Sequence, residues 1–143
     1  MFKSLTGVAA SLAIALGITA VSATAQEGRL TVELNKVEES ETGGCRAFFL
    51  FRNLTDTTLD GFEMSLAILN QEGVIDRLLS IDAAPLSVGR TTLKLFEIPE
   101  TTCGSISEIL LHDIPVCLPA GGSETDCFPM VDLVSRAAAR LTM

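Results

Sequence analysis

The stretch Cys45–Asn53, CRAFFLFRN, decides the fold. Cys45, Ala47, Phe49 and Phe51 form one wholly apolar set of alternate residues, while Arg46, Phe48, Leu50 and Arg52 form a mixed set with a cation at each end. A period of two with one apolar face is the pattern of a β-strand lying on a core, and phenylalanine at this density suits a pleated, half-buried surface. The next residues, Asn53 to Gly61 (NLTDTTLDG), are turn chemistry: Asn and Asp side chains bond their own backbone, and Gly61 tolerates φ > 0. Asn53-Leu54-Thr55 is formally a glycosylation sequon and is read here as part of that turn. The strand is therefore expected to be central, with Cys45, Phe49 and Phe51 inside. Phe48 and Leu50 point the other way, so either a second layer covers them or they belong to an interface; they are the candidate contact residues.

The same period recurs on both sides. Leu30–Val37 alternates Leu30, Val32 and Leu34 with Thr31, Glu33 and Asn35, and the acidic stretch Glu38–Gly44 reads as a solvated turn. Phe62–Leu69 places Phe62, Met64, Leu66 and Ile68 on one face, and Asn70-Gln71-Glu72-Gly73 connects it as a hairpin to Val74–Ile81. Thr91–Ile98 is a fifth strand, in which Leu93 and Leu95 alternate with Thr92, Lys94 and Phe96, and Pro99 ends it. Ser105–Ile114 reads two ways: Ser105-x-x-Glu108 resembles a helix capping box, while Ile109-Leu110-Leu111 between turns fits a buried strand. Its length and strand-rich context favour the strand, and Pro115 is expected to end it. Met130–Val134 can be a seventh strand, whereas Ala137–Leu141 favours helix or a frayed tail, and the pattern alone does not choose. Six or seven short strands with no repeat and no long helix predict an all-β fold, an antiparallel sandwich of immunoglobulin or fibronectin-III type.

Met1–Ala25 reads as an export signal: Lys3 supplies the positive end, Leu5–Val21 the uncharged run, and Ala23-Thr24-Ala25 the small-x-small cleavage pattern. The run is short for a stable membrane span and is interrupted by Gly7, Ser11, Gly17 and Thr19. No Arg-Arg pair precedes it, which points to general secretion rather than the twin-arginine route. Cleavage after Ala25 leaves Gln26–Met143, a normal size for one domain. The whole chain carries 10 Lys/Arg against 18 Asp/Glu, a formal charge of −8 that becomes about −9 without Lys3. Such acidity excludes nucleic acid and anionic membrane surfaces, which need clustered cations.

All four cysteines, Cys45, Cys103, Cys117 and Cys127, follow the export signal, and an even count in an oxidising compartment implies two disulfides. Three connectivities exist; Cys45–Cys103 with Cys117–Cys127 is favoured, because the second pair brackets a Gly/Ser/acid loop at Pro119–Asp126 that can turn back on itself. No CxxC spacing occurs and His112 is the single histidine, so neither zinc nor another cofactor is expected.

The pattern LTVELNKVE, then CRAFFLFRNLT, then NQEGVIDR, then LKLFEIPETTCGSISEILLHDI and a further cysteine resembles a family of small exported proteobacterial proteins often labelled "Tat pathway signal sequence domain protein". The likeness covers most of the mature chain, although the twin arginine is missing. It implies export, and it brings neither a function nor functional residues.

Catalysis has little to build on. A serine–histidine–acid set has only His112 as base, and its neighbour Asp113 points to the opposite face of a strand. No Gly-x-Ser-x-Gly elbow is present. Glu38, Glu39, Glu41, Asp56 and Asp60 lie in turn-forming stretches, where carboxylates are ordinarily solvated; calcium at Asp56 and Asp60 lacks the acid density of a dedicated loop. The absence of Trp and Tyr argues against carbohydrate sites and against protein hot spots, both of which favour those residues as rigid amphipathic anchors. The expectation is a non-enzymatic, periplasmic or secreted sandwich module that binds a protein or envelope partner through sheet faces and edge strands. The alternatives are a self-assembling structural subunit and, behind it, a small hydrolase or metal-dependent enzyme using His112.

Overall fold

The computed structural model describes residues 28–143, so the export signal expected over Met1–Ala25 lies outside the described residues. The described residues form eight strands: β1 (Leu30–Glu39), β2 (Cys45–Asn53), β3 (Leu59–Asn70), β4 (Ile75–Asp82), β5 (Thr91–Ile98), β6 (Ile106–Pro119), β7 (Val131–Ser135) and β8 (Arg140–Thr142). They form two four-stranded sheets, ordered β5-β2-β1-β7 and β4-β3-β6-β8. Among the described residues there is no α-helix; two single 3₁₀ turns, Cys103–Ser105 and Phe128–Met130, lead into β6 and β7.

Both sheets turn their apolar faces to one shared core. Leu30, Val32 and Leu34 of β1 and Ala47, Phe49 and Phe51 of β2 meet Phe62, Met64, Leu66 and Ile68 of β3 and Ile109 and Leu111 of β6, all of them buried. Burying side chains of this size contributes about 1.5–3 kcal/mol each. The Phe51 ring ties the layers together by meeting Phe62 of the opposite sheet edge-on at 6.2 Å, while Phe49 meets Phe96 of β5, in its own sheet, edge-on at 5.9 Å. This is a sandwich-like arrangement, with β2 in the interior of its sheet.

Several details differ from the sequence expectation. The strands number eight rather than six or seven, and the sheets are mixed, because β7 pairs with β1 in parallel and β8 pairs with β6 in parallel. The chain leaves β6, crosses to the other sheet through the loop after Pro119 and arrives at β1's free edge already running in β1's direction; strand periodicity carries no information about such pairing. The C-terminal segment that favours helix by composition holds a turn and β8, with Ala139 and Leu141 buried against the core. Tertiary burial overrides alanine's helix preference there.

Pro115 does not end β6. Residues 113 and 116 of β6 sit opposite Ser65 and Glu63, so Ile114 and Pro115 fall in a bulge where the missing N–H breaks no ladder. Gly61 lies inside β3, not in a turn at positive φ. A Cβ there would stand 3.0 Å from Val116 Cγ1 and 3.1 Å from Leu118 Cβ, so glycine is needed for close strand approach. Asn53 is fully buried: its Nδ2 donates to the carbonyls of Thr57 and Leu86, both at 2.9 Å, and its Oδ1 accepts from Thr55 N–H and Oγ1. The sequon is thus the keystone of two connections, and its amide has no face open to modification.

Disulfides join Cys45 to Cys103 and Cys117 to Cys127. The first ties the start of β2 to the turn before β6 across a separation of 58 residues; the second closes a separation of 10. By loop-closure entropy, Cys45→Ala with Cys103→Ala is expected to lower unfolding stability by about 4 kcal/mol, and Cys117→Ala with Cys127→Ala by about 3 kcal/mol. Urea titrations of the two double variants measure both, and an equal or reversed order contradicts the loop-length account.

Candidate functional site

The outward surface of the β5-β2-β1-β7 sheet gathers the residues singled out from CRAFFLFRN. In the β2–β5 register Phe48 stands opposite Leu95 and Leu50 opposite Leu93; in the β1–β2 register Phe48 stands opposite Lys36 and Leu50 opposite Glu33. Phe48 and Leu50 are half-buried, while Leu93 and Leu95 are 57% and 47% exposed. Nothing in the described chain forms a further layer over this surface. The outcome is a compact apolar patch on an otherwise charged face, of the kind that marks contact surfaces.

Charged rows border the patch. At one end Arg46 faces Glu38 on one side and Glu97 on the other, at 3.7 and 3.9 Å. Lys36 bonds Glu38 at 2.9 Å and lies over the Phe48 ring with its Nζ 4.4 Å from the centroid, a cation–π contact. The hydrogen bond and charge of Lys36 hold the Glu38 carboxyl below the usual range. At the other end Arg29 holds Asp132 in a two-pronged bond, Nε donating to Oδ2 at 2.9 Å and Nη2 to Oδ1, and that bond likewise holds Asp132 low. The pairs around Glu38 are exposed and contribute orientation more than stability, while Arg29–Asp132 is half-buried.

Glu33 is different, and the sequence pattern missed it. It occupies an outward position of β1, yet it is only 1% exposed. Arg52 donates to its Oε2 at 2.8 Å, while Arg136 and Asn35 donate to its Oε1 at 3.1 and 2.7 Å. Burial raises the Glu33 pKa, but the bonds from Arg52 and Asn35 and the charges of Arg52 and Arg136 outweigh it and hold the carboxyl below its ordinary value. Both arginines stay partly or largely exposed while their guanidinium groups bond this buried carboxylate. The one signal in the sequence was Arg52, two residues along from Leu50 on the same strand face; Arg136 comes from beyond β7 and has no local signature.

The remaining candidates are scattered. His112 is exposed on the stretch of β6 that β8 does not reach, and it makes no hydrogen bond or ion pair among the described residues; Asp113 accepts from the backbone N–H of Ile114 at 2.8 Å. Glu39 accepts from the backbone N–H of Cys103 at 2.8 Å, Asp56 from the Thr57 hydroxyl at 3.0 Å, and Asp60 lies exposed in β3. Among the described residues no group of three or more His, Cys, Asp or Glu side chains gathers as a metal cage. Two clefts open at the sandwich, one of about 250 Å³ beside Asn70, Asp76 and Thr101, the other of about 650 Å³ beside Leu54, Asp56, Val88 and Met130; His112 lines neither.

Comparison of the chain with protein-family models, curated proteins and solved structures finds no match.

The Glu33 cluster has a definite pH signature. Its folded pKa lies below the unfolded value, so its stabilisation is complete above the ordinary glutamate range and drains away as pH falls through the folded pKa. Glu33→Gln is expected to lower stability at neutral pH by about 1–3 kcal/mol, the range for a lost charged hydrogen bond. It should also flatten the decline of stability between pH 6 and 3. Urea midpoints across that range measure both effects; a variant with the wild-type slope assigns the acid sensitivity elsewhere.

Proposed function

We propose that this chain is an exported, non-enzymatic binding module of immunoglobulin or fibronectin-III type, acting in the periplasm or outside the cell and contacting a protein partner through the outward face of the β5-β2-β1-β7 sheet. The observation that carries the reading is the uncovered patch of Phe48, Leu50, Leu93 and Leu95, framed by Lys36, Arg46, Glu38 and Glu97. An apolar centre with a polar rim is the anatomy of a protein contact surface.

Three further observations support it. Two disulfides fit an oxidising compartment, in agreement with the export signal read at Met1–Ala25. The grouping of β1, β2 and β5 in one sheet and β3, β4 and β6 in the other follows the strand distribution of immunoglobulin-type sandwiches, from which the parallel β7 and β8 depart. The net charge of −8 disfavours nucleic acid and anionic lipid as the partner.

Crosslinking capture from periplasmic extract with mass-spectrometric mapping tests this reading. Phe48→Glu is expected to abolish crosslinks to the captured protein, since it places a desolvated charge at the patch centre. Because Phe48 is half-buried and outside the core, the unfolding midpoint should change little. A Leu78→Glu control on the opposite sheet should leave capture intact. Capture that survives Phe48→Glu with crosslinks still on this face contradicts the assignment.

A further inference from the structure

Apart from Met143, the large apolar residues that are strongly exposed among the described residues are Val74, Ile75, Leu78, Val88, Leu93 and Leu95. All lie on β4, on β5 or on the turns next to them. β4 and β5 are the edge strands on one side of the sandwich, since β7 and β8, at the opposite edges, are joined by a short turn. Exposed apolar surface is thus concentrated where backbone pairing is open.

Edges in natural sheets are ordinarily blunted by shortness, bulges, proline or outward charge. Three of the four edges here follow that rule. β7 has five residues and β8 three. The pairing of β4 slips between Ile68 and Leu69, leaving Asp76 as an extra residue, and the free stretch of β6 beyond Leu110 holds Pro115 in its bulge. β5 is the exception: it pairs with β2 without interruption from Thr91 to Ile98 and carries no proline or bulge. Its lysine, Lys94, does not guard it, because it belongs to the inward-facing set and donates to the Ala84 carbonyl at 3.3 Å.

The backbone phase of that edge follows from one bond. Asn53 N–H donates to the Arg90 carbonyl at 3.0 Å, and in an antiparallel ladder bonded residues alternate. Even-numbered residues of β5 therefore face β2, and the N–H and C=O groups of Thr91, Leu93, Leu95 and Glu97 point to the open side. These are also the residues whose side chains lie on the outward face. Leu93 and Leu95 thus offer apolar contact and free backbone bonds together.

Building on the binding face assigned above, we propose that β5 is a strand-addition site: it takes an extended segment of a partner protein, antiparallel, with apolar side chains opposite Leu93 and Leu95 and a basic side chain opposite Glu97. The added strand continues the rows Phe48–Leu95 and Leu50–Leu93 by one column, and main-chain bonds supply affinity while the alternate side chains supply selection. Charge chooses this occupant over a second copy of the chain. Two β5 strands match leucine to leucine at both positions only in the register that sets Lys94 against Lys94, and each copy brings a net charge of −8.

The test uses the disulfide-intact protein and three capped ten-residue peptides in which valine alternates with threonine and lysine closes both ends. One is unmodified, one is N-methylated at the valines and one at the threonines. Valines opposite Leu93 and Leu95 donate to β5, so valine methylation is expected to weaken binding at least tenfold and threonine methylation to leave it. The bound peptide should protect the Leu93 and Leu95 amides from hydrogen exchange, and Leu95→Pro should lose binding while Leu95→Ala, which keeps the N–H, retains most of it. Equal affinity of the two methylated peptides, protection confined to β4, or no binding by any peptide overturns the proposal. Light scattering that shows a dimer dissolved by Leu95→Pro overturns it in favour of a second copy. If the peptides fail while Phe48→Glu still abolishes partner capture, strand addition falls and the binding face stands; if the peptides bind β5 while capture survives Phe48→Glu, the face falls and the edge site stands.

Discussion

The register of β2 is the constraint on which the rest of the molecule depends. A slip of one residue against its neighbours swings Phe49 and Phe51 out of the core and Arg46 and Arg52 into it, exchanging buried aromatic area for desolvated charge. Three devices hold the register. Cys45 is bonded to Cys103 at one end, Asn53 is locked at the other by bonds to the carbonyls of Thr57 and Leu86, and the Phe51 ring is seated against Phe62 of the facing sheet. The covalent bond, the polar lock and the packed ring act at different points of the same nine residues, so each limits the freedom the others leave.

Fixing that register settles the opposite face as well. Phe48 and Leu50 must then stand beside Leu95 and Leu93, and Glu33 must stand beside Leu50 within reach of Arg52. The face acquires an apolar centre and a charged frame as a by-product of the packing beneath it. Glu33 shows how far such positioning goes: a carboxylate on an outward position loses its water to two arginine side chains and one asparagine. Arg136 enters that cluster from the residue after β7, and its backbone N–H bonds the Leu34 carbonyl at 2.9 Å, so the cluster also ties the C-terminal segment to β1.

Much of this was legible residue by residue. The alternation in β1, β2 and β3 identifies strands and their buried faces, because a period of two with one apolar set has few other physical solutions; in β5 the alternating leucines Leu93 and Leu95 turn outward instead, and Phe96 and Ile98 face the core. The cysteine pairs found in the structure are those favoured by spacing, since ten residues rich in glycine and serine close on themselves readily. Other features were not legible for specific reasons. Pro115 reads as a stop because proline lacks an N–H, and only the bulge opposite Glu63 and Ser65 removes the need for one. Ala137–Leu141 reads as helix because propensity is local, whereas its conformation is set by burial of Ala139 and Leu141. Gly61 reads as a turn residue, yet its role is the close approach of Val116 and Leu118.

The sequence by itself determined an acidic all-β domain, the strand at Cys45–Asn53, the inward set of Phe49 and Phe51, and the outward pair Phe48 and Leu50; these follow from alternation, composition and cysteine count, which are properties of neighbours along the chain. Only the tertiary structure decided that β7 and β8 pair in parallel, that Glu33 is buried beneath Arg52 and Arg136, and that β5 is a regular open edge beside the apolar patch. Those depend on which strands become neighbours in space, and strands of similar pattern are interchangeable until the loops between them, the disulfides and the packed rings choose one arrangement.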